Sequence, residues 1–302
     1  MRTLLKKPIE RALSSAWVGS VTRQRVRGKR LILAYHGVIP DGERVAGERS
    51  LFIAQREFAA HLDLLSEIAD VAPLNRLDED GDGRPRVAIT IDDAYLGAVR
   101  QGVDELAKRS LPATIFVAPG RLGGHVFWWD ALSSERGEMD PALRTFALSS
   151  LAGSDEKVRS WAAAAALPKS DDLPEYARSA TREDLRVAVR RAGITLGSHS
   201  FTHRNLSRLD IQDVMSEVGR SRLTLKAEFG ARAIDWLAYP YGLDSVAAQQ
   251  AVAASSYKGA VLISGGWHNP ARTPAFARPR LNIPAGLSVE RLRIHVLGGL
   301  LS

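Results

Sequence analysis

Short apolar runs alternate with stretches of helical spacing along most of this chain, and that alternation limits it to few architectures. Residues 30–35, 87–91, 113–117, 193–197 and 259–263 read as strands, and 235–242 as a strand ending in a turn fixed by Pro240. Between them Phe58, Leu62, Leu65 and Ile68 mark a helix over 55–69, and further helices are expected over 95–109, 210–229 and 244–254. Thr181 with Asp184 three residues on forms a capping-box pattern for a helix running through Arg191. Strands joined by helices pair in parallel, in an open sheet or a barrel. A chain of 302 residues is long enough for one large α/β barrel. From about 120 to 180 the alternation breaks, which reads as a largely helical insertion too short for a secure core of its own. The segment 278–281 closes the series as a tail.

The chemistry-bearing residues gather at one end of these strands. Asp92 and Asp93 terminate the run 87–91, and His199 and His203 follow the run 193–197 at H-x-x-x-H spacing. His36 leaves the first strand and Tyr241 the Pro-fixed turn, so His36, Asp92, Asp93, His199 and Tyr241 all lie at or just past predicted C-terminal strand ends, where ligand sites of barrels and open α/β sheets are built. One carboxylate and two imidazoles make three ligands for a divalent metal and leave room for water, with the second carboxylate free to act as a base. Two adjacent like charges repel, so stability alone does not favour the pair. The competing reading is a helix N-cap, for which Asp is well suited. With the histidines in view, the metal-hydrolase reading leads.

Charge excludes a second class of function. Of the 41 Lys and Arg, nine fall within residues 1–30, together with only one of the 34 acids, Glu10. Beyond that stretch the two signs nearly cancel, so a nucleic-acid-binding surface is not expected. Residues 1–29 read as a basic N-terminal arm in which Leu5, Ile9, Leu13 and Trp17 form an amphipathic stripe. Such an arm packs on the main domain, 30–302, or makes peripheral contact with an anionic membrane. No run reaches the length of a signal-peptide core or a membrane span, so the expected location is the cytoplasm or the inner membrane face. Cysteine is absent, which removes disulfides, thiol nucleophiles and thiolate metal sites.

These motifs resemble those of the polysaccharide deacetylases, the carbohydrate esterases that share the NodB homology domain. The family's T-F-D-D-G is matched by Thr90-Ile91-Asp92-Asp93-Ala94, its H-[ST]-x-x-H by His199-Ser200-Phe201-Thr202-His203, and its P-[YF]-G by Pro240-Tyr241-Gly242. The resemblance spans roughly 30–285, and Trp128-Trp129-Asp130 is similar to an element of bacterial members with such an insertion. It implies a distorted (β/α)7 barrel carrying a divalent metal, zinc before cobalt, nickel or manganese. By the same resemblance Asp93, His199 and His203 bind the metal and Asp92 is the catalytic base. Tyr241 lines the acetyl pocket and lends its backbone N–H to the oxyanion. The expected reaction removes an N-acetyl group, in preference to an O-acetyl group, from a bacterial polysaccharide or glycan precursor; with no visible signal peptide, a lipid-linked sugar at the inner face is the more natural substrate than mature cell wall. A hydrolase of small amides on the same fold and a non-catalytic glycan-binding relative are the alternatives.

The chain departs from the family pattern in three places. Ala94 stands for the usual glycine. Trp236-Leu237-Ala238 occupies the stretch where the third motif often carries an arginine that orients the base, leaving Arg280 as the candidate for that task. The late L-x-H motif that usually supplies the general acid is not evident. His295 in Leu292-Arg293-Ile294-His295 is its nearest textual match, but His36 is preferred because it sits at the catalytic edge. Pro240 and Trp128 join Tyr241 and Arg280 as candidate substrate contacts, with anchoring of the insertion as the competing reading of the Trp128-Trp129 pair. His61 is expected on a polar helix face at the surface, His268 in a loop, and Arg278 exposed.

Overall fold

A barrel closes when the first and last strands of a sheet each find a neighbour, and this chain achieves that with seven strands. The structure is a computed structural model describing residues 28–298. Its strands are β1 (Arg30–Tyr35), β2 (Gly37–Ile39), β3 (Phe52–Ala54), β4 (Asp70–Val71) and β5 (Arg86–Ile91). They continue with β6 (Ala113–Val117), β7 (Ile194–Ser198), β8 (Ala233–Ala238), β9 (Gly259–Ile263) and β10 (Arg278–Asn282). The order β1-β10-β9-β8-β7-β6-β5 is sealed by β1 against β5, in register from Arg30↔Arg86 to Tyr35↔Ile91. Every pairing in the ring is parallel, so all seven C-terminal ends open on one face.

Side chains alternate across each strand. On β1 and β5, Leu31, Leu33, Val87, Ile89 and Ile91 join the large outer apolar cluster, whereas Ile32 and Ala88 join a smaller cluster with Phe116, Trp236, Ala238 and Val261 that fills the barrel. Outside, α1 (Gln55–Ile68) contributes Phe58, Leu62 and Leu65 to the outer cluster. The helix after β5 runs through a π turn at Ala98–Gly102 into α2 (Val103–Lys108). The 120–180 stretch holds α3 (Trp128–Ala131), α4 (Pro141–Ser149) and α5 (Asp155–Ala164). Its Trp128, Trp129, Ala147, Val158 and Ala162 are buried in the same cluster as the outer barrel face. After it come α6 (Arg182–Ala188), with both hydrogen bonds of the Thr181/Asp184 capping box, and α7 (Ile211–Phe229), α8 (Val246–Ala254) and α9 (Val289–Val296).

Three expectations need correction. The segment 278–281, expected as a tail, lies in the strand that closes the barrel; its Arg278 and Arg280 are buried and pair with Asp78 and Asp92. Arg278 is therefore buried, paired with Asp78 at 2.7 Å and lying over the Trp236 ring. His61 is also buried; its Nε2 lies 2.8 Å from the Leu287 carbonyl and its Nδ1 3.3 Å from the Tyr35 hydroxyl. The basic arm falls, up to residue 27, outside the described residues. No described helix is long and apolar enough to cross a membrane.

Candidate active site

Thr90 faces the barrel interior, so alternation aims Asp92 inward as well, just past the end of β5. Arg280 reaches it from β10, donating Nη1 to Oδ1 and Nη2 to Oδ2, both at 2.7 Å, while Nη1 also donates to Thr90 Oγ1 at 3.0 Å. Both partners are buried. Burial alone would raise the Asp92 carboxyl, but the Arg280 guanidinium, with His199 and His36 adding to it, holds it below the ordinary carboxylate range. Arg280 thus reaches Asp92 from the closing strand rather than from the segment before the Pro240 turn. Being fully enclosed against Asp92, it does not form a wall for substrate, which corrects its placement among substrate contacts.

Asp93 has a different environment. The chain turns into the left-handed region at Asp93 (φ 67°) and Ala94 (φ 53°), and the helix begins beyond them, so neither aspartate is its N-cap. The turn swings Asp93 away from Arg280 and towards the histidines. Its Oδ1, buried and without a hydrogen bond, lies 2.9 Å from His203 Nε2 and 3.5 Å from His199 Nε2. His199 Nδ1 is 2.8 Å from the Ala238 carbonyl. A carbonyl only accepts, so Nδ1 carries the proton and Nε2 keeps its lone pair for a ligand. Burial lowers the pKa of His199, and that of His203 to about 4, which keeps both rings neutral. One ligand atom from each of Asp93, His199 and His203 falls within 4.8 Å of the others. An orphaned buried carboxylate oxygen facing two neutral imidazole nitrogens fits a divalent cation, and three protein ligands leave a position open.

The loop between the histidines is held from α7. Glu217, buried, accepts hydrogen bonds from the Phe201 and Thr202 amides at 2.9 and 2.8 Å and from the Thr202 hydroxyl at 2.5 Å. Ser200 and His203 both take positive φ (60° and 64°), and Ser200 Oγ accepts from the His203 amide at 3.0 Å. Backbone strain of this kind persists only where the surroundings enforce it. Aromatic rings then box in His203, with Tyr241 edge-on at 4.7 Å and Trp129 at 4.9 Å. Trp129 is fixed in turn, its Nε1 donating to the Tyr95 hydroxyl at 2.8 Å, which donates to Asp130 at 2.6 Å.

His36, Asp92, Asp93, Trp129, Arg144, His199, His203 and Tyr241 line one cavity at the open end of the barrel. His36 Nε2 stands 3.9 Å from Asp92 Oδ2, and burial lowers its pKa against the pull of both aspartates. Tyr241 (φ 61°) presents its ring, with its hydroxyl accepting from Trp128 Nε1 and donating to the Gly153 carbonyl, each at 3.1 Å. Two candidate substrate contacts sit elsewhere: Trp128 is buried behind Tyr241, and Pro240 is buried at the start of the turn that presents Tyr241. Trp129 takes the wall position instead. His295 lies on α9 and does not line the cavity. Glu217 and Arg144 were not singled out from the sequence, since an acid within a long helix and an arginine within an irregular stretch carry no local signal.

Fold and site together define a class, a hydrolase on a seven-stranded parallel barrel with a carboxylate–imidazole site at its C-terminal face. Residues 79–260 match the polysaccharide deacetylase family, and the chain belongs to it. No curated protein matches the chain. Among solved structures, the Streptococcus pyogenes deacetylase PplD in complex with acetate is similar at TM-score 0.62 and 16% identity, over 89% of this chain and 98% of that one. IcaB from Ammonifex degensii is similar at TM-score 0.61 and 17% identity, over 89% and 97% of the two chains. A de-N-acetylase from Aggregatibacter actinomycetemcomitans gives 0.58 and 13%, over 84% and 95%. The family match includes both aspartates, both histidines and Tyr241; His36 and Arg280 lie outside it and reach the site through barrel closure.

Proposed function

We propose that this protein is a metal-dependent deacetylase that hydrolyses an N-acetyl group on a glycan or glycan precursor, in preference to an O-acetyl ester. The observation that carries this reading is the unlike fate of two neighbouring acids. Asp92 is paired with Arg280 through both oxygens and keeps a lone pair on each, whereas Asp93 turns an unpaired oxygen towards two neutral imidazoles. Asp93, His199 and His203 would hold the ion, and the nitrogen-rich donor set suits zinc, with cobalt, nickel and manganese as alternatives. When bound, the ion supplies Lewis acidity and makes a water more acidic.

Asp92, ionised at neutral pH, accepts a proton from the attacking water. His36, 3.9 Å away and neutral at rest, relays that proton to the departing nitrogen. The hydroxyl ends on the acetyl carbon, the C–N bond breaks and the proton ends on nitrogen, giving acetic acid and a free amine. An amine leaves poorly unless protonated, so a relay beside the base is what amide cleavage requires of a site. Tyr241 and Trp129 wall the acetyl group and exclude water around it.

The test is acetate release from N-acetylglucosamine oligomers, O-acetylated xylan and small amides, before and after chelation and readdition of zinc. The expected result is N-acetyl turnover that disappears with the metal and returns with it; undiminished turnover after chelation would refute the mechanism, and turnover of small amides alone would refute the substrate. Asp92→Asn is expected to lower the rate about 10²–10⁴-fold with metal content unchanged. Loss of the metal in that variant would overturn the division between the two aspartates.

A further inference from the structure

Arg144 is a half-buried arginine on the wall of the catalytic cavity, carried in by α4 from the stretch outside the barrel's alternation. Among the described residues no hydrogen bond or ion pair engages its guanidinium. Two other arginines of the same stretch are paired, while Arg136, also without a partner among the described residues, lies exposed and off the cavity. Arg121 pairs with Asp155 at 2.9 Å, and Arg159 with Asp155 and Asp171 at 3.0 and 2.8 Å. The cavity's own carboxylates do not serve Arg144 either, since Asp92 is paired with Arg280 and Asp93 faces the two imidazoles.

Helix stability gives no reason for the residue. α4 begins at Pro141 behind the N-cap Asp140, whose side chain accepts from the Leu143 amide, so Arg144 closes the first turn. A cation there opposes the helix dipole. Its charge is felt inside the cavity, where it opposes the burial-driven rise of the Tyr241 phenol. A guanidinium kept in a partly desolvated cavity without a partner is a preformed fork for an oxyanion, because it presents paired donors that match carboxylate or phosphate oxygens.

We propose that Arg144 is a specificity-determining residue that binds an anionic group on the acetylated sugar or its immediate neighbour, a phosphate ester or a uronate carboxylate. The substrate is then an anionic acetylated glycan rather than a neutral one. This rests on the deacetylase reading for its substrate class, but binding can be tested without turnover.

Three matched probes serve: a neutral N-acetylglucosamine oligomer, the same oligomer bearing a phosphate ester, and one alternating with glucuronate. Calorimetric titration of the zinc-loaded protein should show one anionic probe binding at least about tenfold more tightly than the neutral one, the worth of a charged hydrogen bond. Arg144→Gln should abolish that preference, and Arg144→Lys should restore part of it. Which anionic probe leads decides between phosphate and carboxylate. Equal affinity of the wild type for all three probes, or an equal loss for neutral and anionic probes in Arg144→Gln, overturns the proposal. Anion preference in binding with no acetate released from any probe would instead refute the deacetylase reading and leave Arg144 as an anion-binding residue. A melting curve of each variant separates misfolding from lost recognition.

Discussion

At the residue scale, Arg280 decides what Asp92 can do. A carboxylate taken out of water survives as a charge only if it is paired, and two guanidinium bonds from the closing strand pair it. Arg280→Met would leave that charge buried and unpaired, and is expected to cost about 3–5 kcal/mol of stability, measured by urea unfolding. Adding Asp92→Asn to it should recover part of the loss; a single variant as stable as the wild type would contradict this account. The residues themselves were legible in the sequence because polar groups stand out at the ends of apolar runs. Arg280 was reached only as the candidate left when the third motif offered Trp236-Leu237-Ala238. Trp128 and Trp129 could not be told apart in sequence, since adjacent positions on one helical turn point in different directions: one lies behind Tyr241 and the other forms the wall.

At the scale of elements, the strands after which the site residues appear were readable because parallel strands buried on both faces are continuously apolar. The closing strand was not, because its inward positions are charged and its second residue is a proline. His61 was misplaced for a related reason, its partners being a tyrosine hydroxyl from β1 and a carbonyl more than two hundred residues away. The clamp of α7 on the histidine loop is equally non-local. Removing it with Glu217→Ala frees two amides and a hydroxyl and relaxes the strained turn that presents His203. Metal affinity is expected to fall about 10–100-fold, as for other groups that orient ligands, in a zinc competition titration. Unchanged affinity would show that the aromatic box alone positions the ring.

At the scale of the whole molecule, burial makes stability depend on pH. Asp130, on α3 of the 120–180 stretch, is buried against Tyr95 and Glu48, and burial pushes its carboxyl up to about 8 against hydrogen bonds from the Tyr95 hydroxyl and the Glu48 amide. The folded state therefore holds a proton there that the unfolded chain gives up near 3.8. Its contribution to stability is complete below that lower value and is lost as pH rises towards 8. Relative to Asp130→Asn, the wild type should lose stability steadily across that window in urea melts at successive pH values; parallel curves would refute the assignment. The same division of scales separates what the chain's own order determined from what folding decided. Strand–helix alternation, the two acids, the spaced histidines and the Pro-Tyr-Gly turn follow from hydrophobic period and local motif, so the sequence by itself determined the parallel architecture and the family. Pairing Asp92 with Arg280, seating His36 beside it, placing Trp129 rather than Trp128 on the cavity and bringing Arg144 to its wall were decided only by tertiary structure. Those contacts join residues far apart in the chain, and barrel closure and burial, which no local pattern encodes, set which charges meet.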